Sequence, residues 1–331
     1  MQDTTQGMIE FTQRLISTPS QNGIDSEESI AKLVSEKLSG FGFTPKIIGS
    51  KEHPSVICRI EKPNARKVIW LQASLDTVPA GDLSKWDHPP FEGRVIGNKM
   101  YGLGAADAKI AISIFCHLAK ELAEDSDFNA SLFLGFDADE QGGNFTGIKE
   151  VVGEAPKADV CILGYQGVNL ISIGARGWLR LKITSLGQSA HTGSSTKKGI
   201  NAIHGMVKAA HAISTLNIGY EKESFFEFGS SLNISQIHGG VAINIVPDRC
   251  EAFIDIRIVP SQSKEEIVGQ IRKELENVEN DNNRFKFELE ELQYEPAYLT
   301  NPKNEFVKIL RDKAEKILSK KIPLIASGQG S

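Results

Sequence analysis

The chain has 331 residues, 40% of them hydrophobic, with a formal net charge of -5 and a pI of about 5.9. That is enough apolar material for one large or two medium cores. The acidic balance and the lack of a basic stripe argue against nucleic acid or an anionic membrane as partner. No apolar run reaches the ~18 residues of a spanning helix. The N-terminus, Met1-Gln2-Asp3-Thr4-Thr5, has no basic segment leading into an apolar core and so does not read as a secretory leader. The four cysteines, Cys58, Cys116, Cys161 and Cys250, are far apart, form no CxxC pair and sit in apolar runs. They read as buried free thiols of a cytoplasmic protein.

In chain order, the first helix signal has Ile30, Leu33, Val34 and Leu38 on one face, acidic residues at its start and Gly40 at its exit. Val68-Ile69-Trp70-Leu71 reads as a buried strand, residues 105–122 as a helix, and Ser131-Leu132-Phe133-Leu134-Gly135-Phe136 and Val160-Cys161-Ile162-Leu163 as buried strands. This alternation predicts an α/β sheet covered on both faces. The pattern changes near Ile173. Residues 178–183 read as a strand, and residues 201–216 as a helix with Ile203, Met206, Val207, Ala210 and Ile213 inward. Ala252, Ile254, Ile256 and Ile258 alternate as a strand, Ile267, Val268, Ile271 and Leu275 mark a helix, and Phe285, Phe287 and Leu289 mark a closing strand. Two helices on one antiparallel sheet are expected there. A helix through Phe306, Leu310 and Ile317 and a strand at residues 322–325 follow.

Several blocks carry fixed residues at fixed offsets. They are Ser74-Leu75-Asp76-Thr77-Val78-Pro79, Trp86 to Phe91 followed by Tyr101-Gly102-Leu103-Gly104-Ala105-Ala106-Asp107-Ala108-Lys109, and Asp137-Ala138-Asp139-Glu140-Gln141-Gly142-Gly143 with a later Gly147. Later come Gly187-Gln188-Ser189-Ala190-His191 with Gly199-Ile200-Asn201-Ala202, then Gly239-Gly240-Val241-Ala242-Ile243-Asn244-Ile245-Val246-Pro247, and Asp255-Ile256-Arg257.

Together these resemble the M20 family of dinuclear zinc amidohydrolases, which includes aminoacylases, acetylornithine deacetylase and succinyl-diaminopimelate desuccinylase. The resemblance runs from about residue 8 to the last residue. It implies a catalytic α/β domain, residues 1–173 plus 293–331, interrupted by a smaller α+β lid and dimerisation domain, residues 174–292. It also implies two metals (Zn, or Mn or Co) in relatives, and a reaction at a C–N bond. The family writes the first block with a zinc-binding His where this chain has Ser74, and Asp76 orients that ligand. Asp107 corresponds to the metal-bridging carboxylate. A gapless match on Gly147 places the catalytic base at Glu140 and a metal ligand at Gln141; a match with one deletion makes Asp139 the base and Glu140 the ligand. Tyr165 stands where relatives carry another carboxylate ligand. The fifth ligand, a His, lies past the point where this chain stops, so the catalytic domain reads as C-terminally incomplete. In the lid, the resemblance gives His191 a role in holding the substrate carbonyl of a partner subunit. Asn244 and Arg257 would contact a substrate carboxylate.

One retained carboxylate ligand, with Ser74, Gln141 and Tyr165 at the other positions, does not suit two zincs. The expectation is an M20 homologue with a degenerate metal site and no cofactor of its own. It would not hydrolyse amides; it would bind a peptide, N-acyl amino acid or other small carboxylate-bearing ligand, or pair as a homodimer or heterodimer through the lid. The alternative is an active amidohydrolase whose Asp76, Asp107, Asp139 and Glu140 form an all-oxygen site for Mn²⁺ or Mg²⁺. A folded remnant without activity is a third reading.

Overall fold

A computed structural model describes residues 2–165, 167–196, 198–219 and 223–328. Contacts divide the chain into two units, Met1–Gly167 and Val168–Ser331.

The first unit runs α1 (Gln2–Ile16), α2 (Glu28–Gly40), β1 (Lys46–Gly49), β2 (Pro54–Ile60), β3 (Lys67–Ser74), a short hairpin of β4 (Arg94–Ile96) and β5 (Lys99–Tyr101), α3 (Lys109–Glu124), β6 (Ala130–Asp137), α4 (Thr146–Glu154) and β7 (Val160–Leu163). Its main sheet has the order β1-β2-β6-β3-β7, with β3 parallel to both β6 and β7. Alternation along β6 sends Leu132, Leu134 and Phe136 into a core shared with Phe11, Leu15, Ile30, Val34, Leu38 and Ile112 of the first three helices. Phe133 points the other way and packs with Ile57 and Val151 of α4. The sheet is thus covered on both faces, as an α/β pattern requires.

Three local expectations need correction. The helix expected over residues 105–122 begins only at Lys109, because Gly104 adopts φ +79 and the chain turns through residues 103–108. Asp107 therefore lies in a turn ahead of the helix. The strand expected to be buried at residues 160–163 is the sheet's edge, and Cys161 faces outward, whereas Cys58, Cys116 and Cys250 are buried free thiols. The helix α1 has no counterpart among the predicted elements.

The second unit runs β8 (Ile171–Ala175), β9 (Gly177–Leu186), β10 (Ala190–His191), α5 (Ala202–Ser214), β11 (Ser231–Gly239), β12 (Ile245–Val246), β13 (Arg249–Ile258), α6 (Lys264–Asp281), β14 (Lys286–Glu295), β15 (Tyr298–Leu299), α7 (Glu305–Leu318) and β16 (Leu324–Ser327). An antiparallel sheet, β11-β13-β9-β14, carries α5 and α6. Leu179, Leu181, Ile183, Ile254 and Ile256 of the sheet pack on Met206, Ile213, Ile267 and Ile271 of the helices. Asn201 caps α5 by accepting the His204 N–H (3.2 Å), and Ser263 with Glu266 forms a capping box on α6. Val207, expected inward, is exposed, since it sits about 100° around the helix from buried Met206. Residues 298–299 and 324–327 flank β8 in a three-stranded sheet of this unit. Among the described residues, no helix is long and apolar enough to cross a membrane.

Gly147, at the start of α4, fixes how closely that helix approaches the end of β6. A Cβ there would lie 2.3 Å from the Ala138 carbonyl oxygen. Gly147→Ala is expected to lower stability by about 1–3 kcal/mol through overpacking. Gly153→Ala in the same helix, with nothing within 4 Å of its Cβ, should be neutral or stabilising. Urea unfolding checks both, and equal midpoints would contradict the packing argument.

Candidate active site

The first unit gathers its polar residues where three segments meet. Residues 20–22 lie alongside the chain leaving β3, joined by Thr77 N–H to Ser20 O (2.9 Å) and Asn22 N–H to Thr77 O (2.8 Å). Ser20 Oγ donates to Leu75 O (2.8 Å). The loop after β6 closes the other side, with Leu75 N–H donating to Asp137 O (2.7 Å). Between them lies Asp76, fully buried. Its Oδ1 accepts the Glu140 N–H (3.2 Å), and its Oδ2 accepts the Gln141 N–H (2.9 Å) and Asn22 Nδ2 (3.0 Å). Burial pushes this carboxyl above its ordinary value while those three donors pull against it.

Ser74 ends β3, buried, in register with Asp137. Asp137 is pushed up to about 8 by burial and by the charge of Asp76; Gln72 Nε2 donates to it. Glu140 is pushed up to about 7 by burial, then by Asp76 and Asp107. Gln141 contributes its side chain to Glu140 as well as its N–H to Asp76. Asp139 has φ 56; burial works to raise its carboxyl, but Thr146 Oγ1 (2.6 Å) and Asn22 Nδ2 (3.1 Å) outweigh it and hold the group below its ordinary value.

Asp107 and Tyr165 complete the group. Burial raises Asp107, and a hydrogen bond with Tyr165 opposes the rise. The other side of that carboxylate is bare: Oδ1 is buried without a hydrogen-bond partner. The Tyr165 phenol is driven upward by burial and by Glu140, Asp107 and Asp76. Asp76, Asp107, Glu140, Gln141 and Tyr165 therefore form one interacting set. Among the described residues, no three or more His, Cys, Asp or Glu side chains are disposed to hold a metal ion.

The second unit holds the remaining expected residues in two places. His191 Nδ1 accepts the Gly193 N–H (3.0 Å), and its Nε2 lies 3.4 Å from Asn244 Nδ2. The strand pairing of β10 with β12 and the Thr192 N–H to Asn244 O bond (3.0 Å) set this pair. Arg257, on β13, is engaged with Asp255 (2.8 Å) and stands over the Trp178 ring, 5.8 Å from its centroid. Asn22, Gln72, Asp137 and Thr146 were not anticipated. Asp137 opens the third sequence block but had no role assigned there, the others are single polar residues with no spacing signal, and only the folded chain brings them to Asp76 and Asp139.

Residues 173–283 match the family model for the peptidase dimerisation domain. A succinyl-diaminopimelate desuccinylase from Corynebacterium glutamicum is 27% identical over 272 residues, spanning 81% of this chain and 70% of that protein. One from Methylorubrum extorquens is 28% identical, across 97% of this chain and 85% of its own length. The chain belongs to the M20 peptidase family. Solved structures share the fold. An M20 metallo-carboxypeptidase from Sulfolobus solfataricus superposes with a TM-score of 0.73 at 19% identity, covering 100% of this chain and 87% of the other. A dinuclear metal-binding M20 peptidase from Bacillus subtilis gives 0.74 at 15% identity, covering 100% and 85%.

The Asp137 carboxyl sets a pH dependence. It holds its proton in the folded chain up to about 8, whereas the unfolded chain loses it near the ordinary value of 3.8. Between those values a rise in pH favours unfolding, because only the unfolded state can release the proton cheaply. Asp137→Asn lacks this penalty, so its stability relative to the native chain should climb as pH rises from 5 to 8 by urea unfolding. Parallel pH profiles would count against the burial argument.

Proposed function

We propose that this M20-family chain has kept the hydrolase scaffold without its metal chemistry. It is a non-hydrolytic homologue that binds a small carboxylate-bearing ligand, such as a peptide or N-acyl amino acid. The observation that carries this is the donor set: Ser74, Gln141 and Tyr165 are neutral at positions where relatives supply imidazole or carboxylate, and Asp107 alone keeps its charge. Family chemistry calls for two metals roughly 3.5–4 Å apart to polarise an amide and ionise a water. Zinc wants imidazole, thiolate or carboxylate donors. At the corresponding positions this chain offers the neutral groups of Ser74, Gln141 and Tyr165. Asp76 already accepts from two backbone N–H groups and Asn22. These residues do not fit a zinc pair.

Asp139 is committed to Thr146 and Asn22. That supports the gapless match, in which Glu140 holds the base position. In the lid, His191, Asn244 and the Arg257 guanidinium are the groups suited to a ligand's carbonyl and carboxylate. The relatives' names suggest N-succinyl amino acids as the ligand class. The match to a dimerisation domain, with Ile237, Val241 and Ile243 exposed, supports pairing through the lid, with a second copy or with an active relative.

A second reading has its own support. The bare Asp107 Oδ1 and a Glu140 poised near neutrality suit an active hydrolase with an oxygen-only Mn²⁺ or Mg²⁺ site. Elemental analysis, together with assays on N-succinyl and N-acetyl amino acids supplied with Zn²⁺, Mn²⁺ or Co²⁺, separates the two. The proposal expects no tightly held metal and no turnover above the uncatalysed rate. Stoichiometric metal with turnover that Asp107→Ala abolishes would establish the second reading instead.

A further inference from the structure

The face of the lid sheet turned away from α5 and α6 carries a line of polar side chains that crosses three strands. Alternation along β13 sends Ile254, Ile256 and Ile258 to the helices and Asp255 and Arg257 to the opposite face. Register sets Arg257 beside Trp178 and Asp255 beside Arg180 on β9. On the next strand, β14, the pairing slips by one residue between Glu291 and Gln293. Leu292 is the extra residue of this bulge and is exposed. In an unbroken ladder Leu292 would oppose Arg180; the bulge brings Gln293 there instead. Gln293 Oε1 accepts from Arg180 Nη1 (2.9 Å), and Arg180 Nε lies 3.6 Å from Asp255 Oδ2.

Asp255 in turn holds Arg257 along one edge. Its Oδ1 accepts from Arg257 Nε (2.8 Å), and its Oδ2 accepts from Nη2 (3.3 Å). A guanidinium has five N–H donors in a rigid plane, and a carboxylate fits either along its Nε edge or across its two terminal nitrogens. Asp255 takes the first position. The second is left open: among the described residues, Nη1 of Arg257 has no hydrogen-bond partner. Trp178 backs the group from β9, with the guanidinium carbon 5.8 Å from its ring centroid. The Arg257 side chain is thus restrained by a carboxylate and an aromatic ring, yet it remains 31% exposed.

We propose that Asp255 is the positioning residue of the lid's carboxylate subsite: anchored through Arg180 and Gln293, it holds the Nε edge of Arg257 so that the two terminal nitrogens present a fork to a ligand's carboxylate. The inference rests on the reading of this chain as a binder of carboxylate-bearing ligands. It adds how the binding group is oriented and which residues orient it. A long side chain that is free in the unbound state gives up rotamer freedom on binding, and one already held gives up less. Asp255 touches no ligand in this arrangement; it acts through Arg257.

The test is calorimetric titration of the full chain with N-acetyl-L-amino acids and with their α-carboxamides, for the native chain, Asp255→Asn, Arg257→Gln and the double variant. Arg180→Gln, which loosens Asp255 without removing it, is a second variant. These side chains lie on the polar face of the sheet, and melting temperatures check that each variant is folded. Asp255→Asn is expected to weaken binding of the acid about tenfold and to leave the carboxamide within about twofold. Arg180→Gln should weaken the acid about threefold. Arg257→Gln should weaken it at least as much as Asp255→Asn does, and adding Asp255→Asn to Arg257→Gln should change nothing further. Unchanged or tighter binding of the acid by Asp255→Asn, equal losses for acid and carboxamide, or additive losses in the double variant overturns the positioning role and leaves the ligand-binding reading standing. No binding of any acid by the native chain overturns both.

Discussion

A fully buried carboxylate holds the candidate site together. Asp76, two residues beyond the end of β3, accepts the N–H groups of Glu140 and Gln141 and the amide of Asn22. Burying a carboxylate costs several kcal/mol unless donors replace its water. Here three do, from two separate segments, so the loops at residues 20–22 and 139–141 are fixed to the strand end. The positions of Glu140 and Gln141 follow from this clasp. So does its chemical consequence: both oxygens of Asp76 are already occupied.

The clasp also explains how the arrangement persists with so many acids close together. Asp76, Asp107, Asp137 and Glu140 are all raised, chiefly by burial, and Asp137 and Glu140 also by their acidic neighbours. With carboxyls at about 7 and about 8, Glu140 and Asp137 hold protons that an exposed acid would release. Protons, the Gln72 and Gln141 amides and the Tyr165 phenol thus moderate charge that cations moderate elsewhere. In the proposed reading, each replaced ligand position exchanges a charged or basic donor for a neutral group able to hydrogen-bond. A cleft altered in this way can stay folded with no ion present.

Legibility in the sequence followed the physics of each signal. The helices α5 and α6 and the strands β9 and β13 were visible because one face of each packs on a single core, which imposes period 3.6 or 2 on apolar residues. Asp107 and Glu140 were visible because glycines at fixed offsets mark the turns beside them. Asn22, Gln72, Asp137 and Thr146 were not, since their roles exist only once distant segments meet. The edge position of β7 was hidden for a related reason. Val160-Cys161-Ile162-Leu163 is apolar throughout, and nothing in four residues tells which face is left uncovered. The start of α3 was misjudged because apolar periodicity continues through a turn that Gly104 imposes.

The central claim is that this M20 scaffold holds no metal pair because its own side chains have taken over that role. Native mass spectrometry of the full chain after incubation with excess Zn²⁺ and Mn²⁺, followed by desalting, tests it most directly. The account predicts the mass of the polypeptide alone. A species carrying two metal ions, displaced by Asp107→Ala, would contradict it.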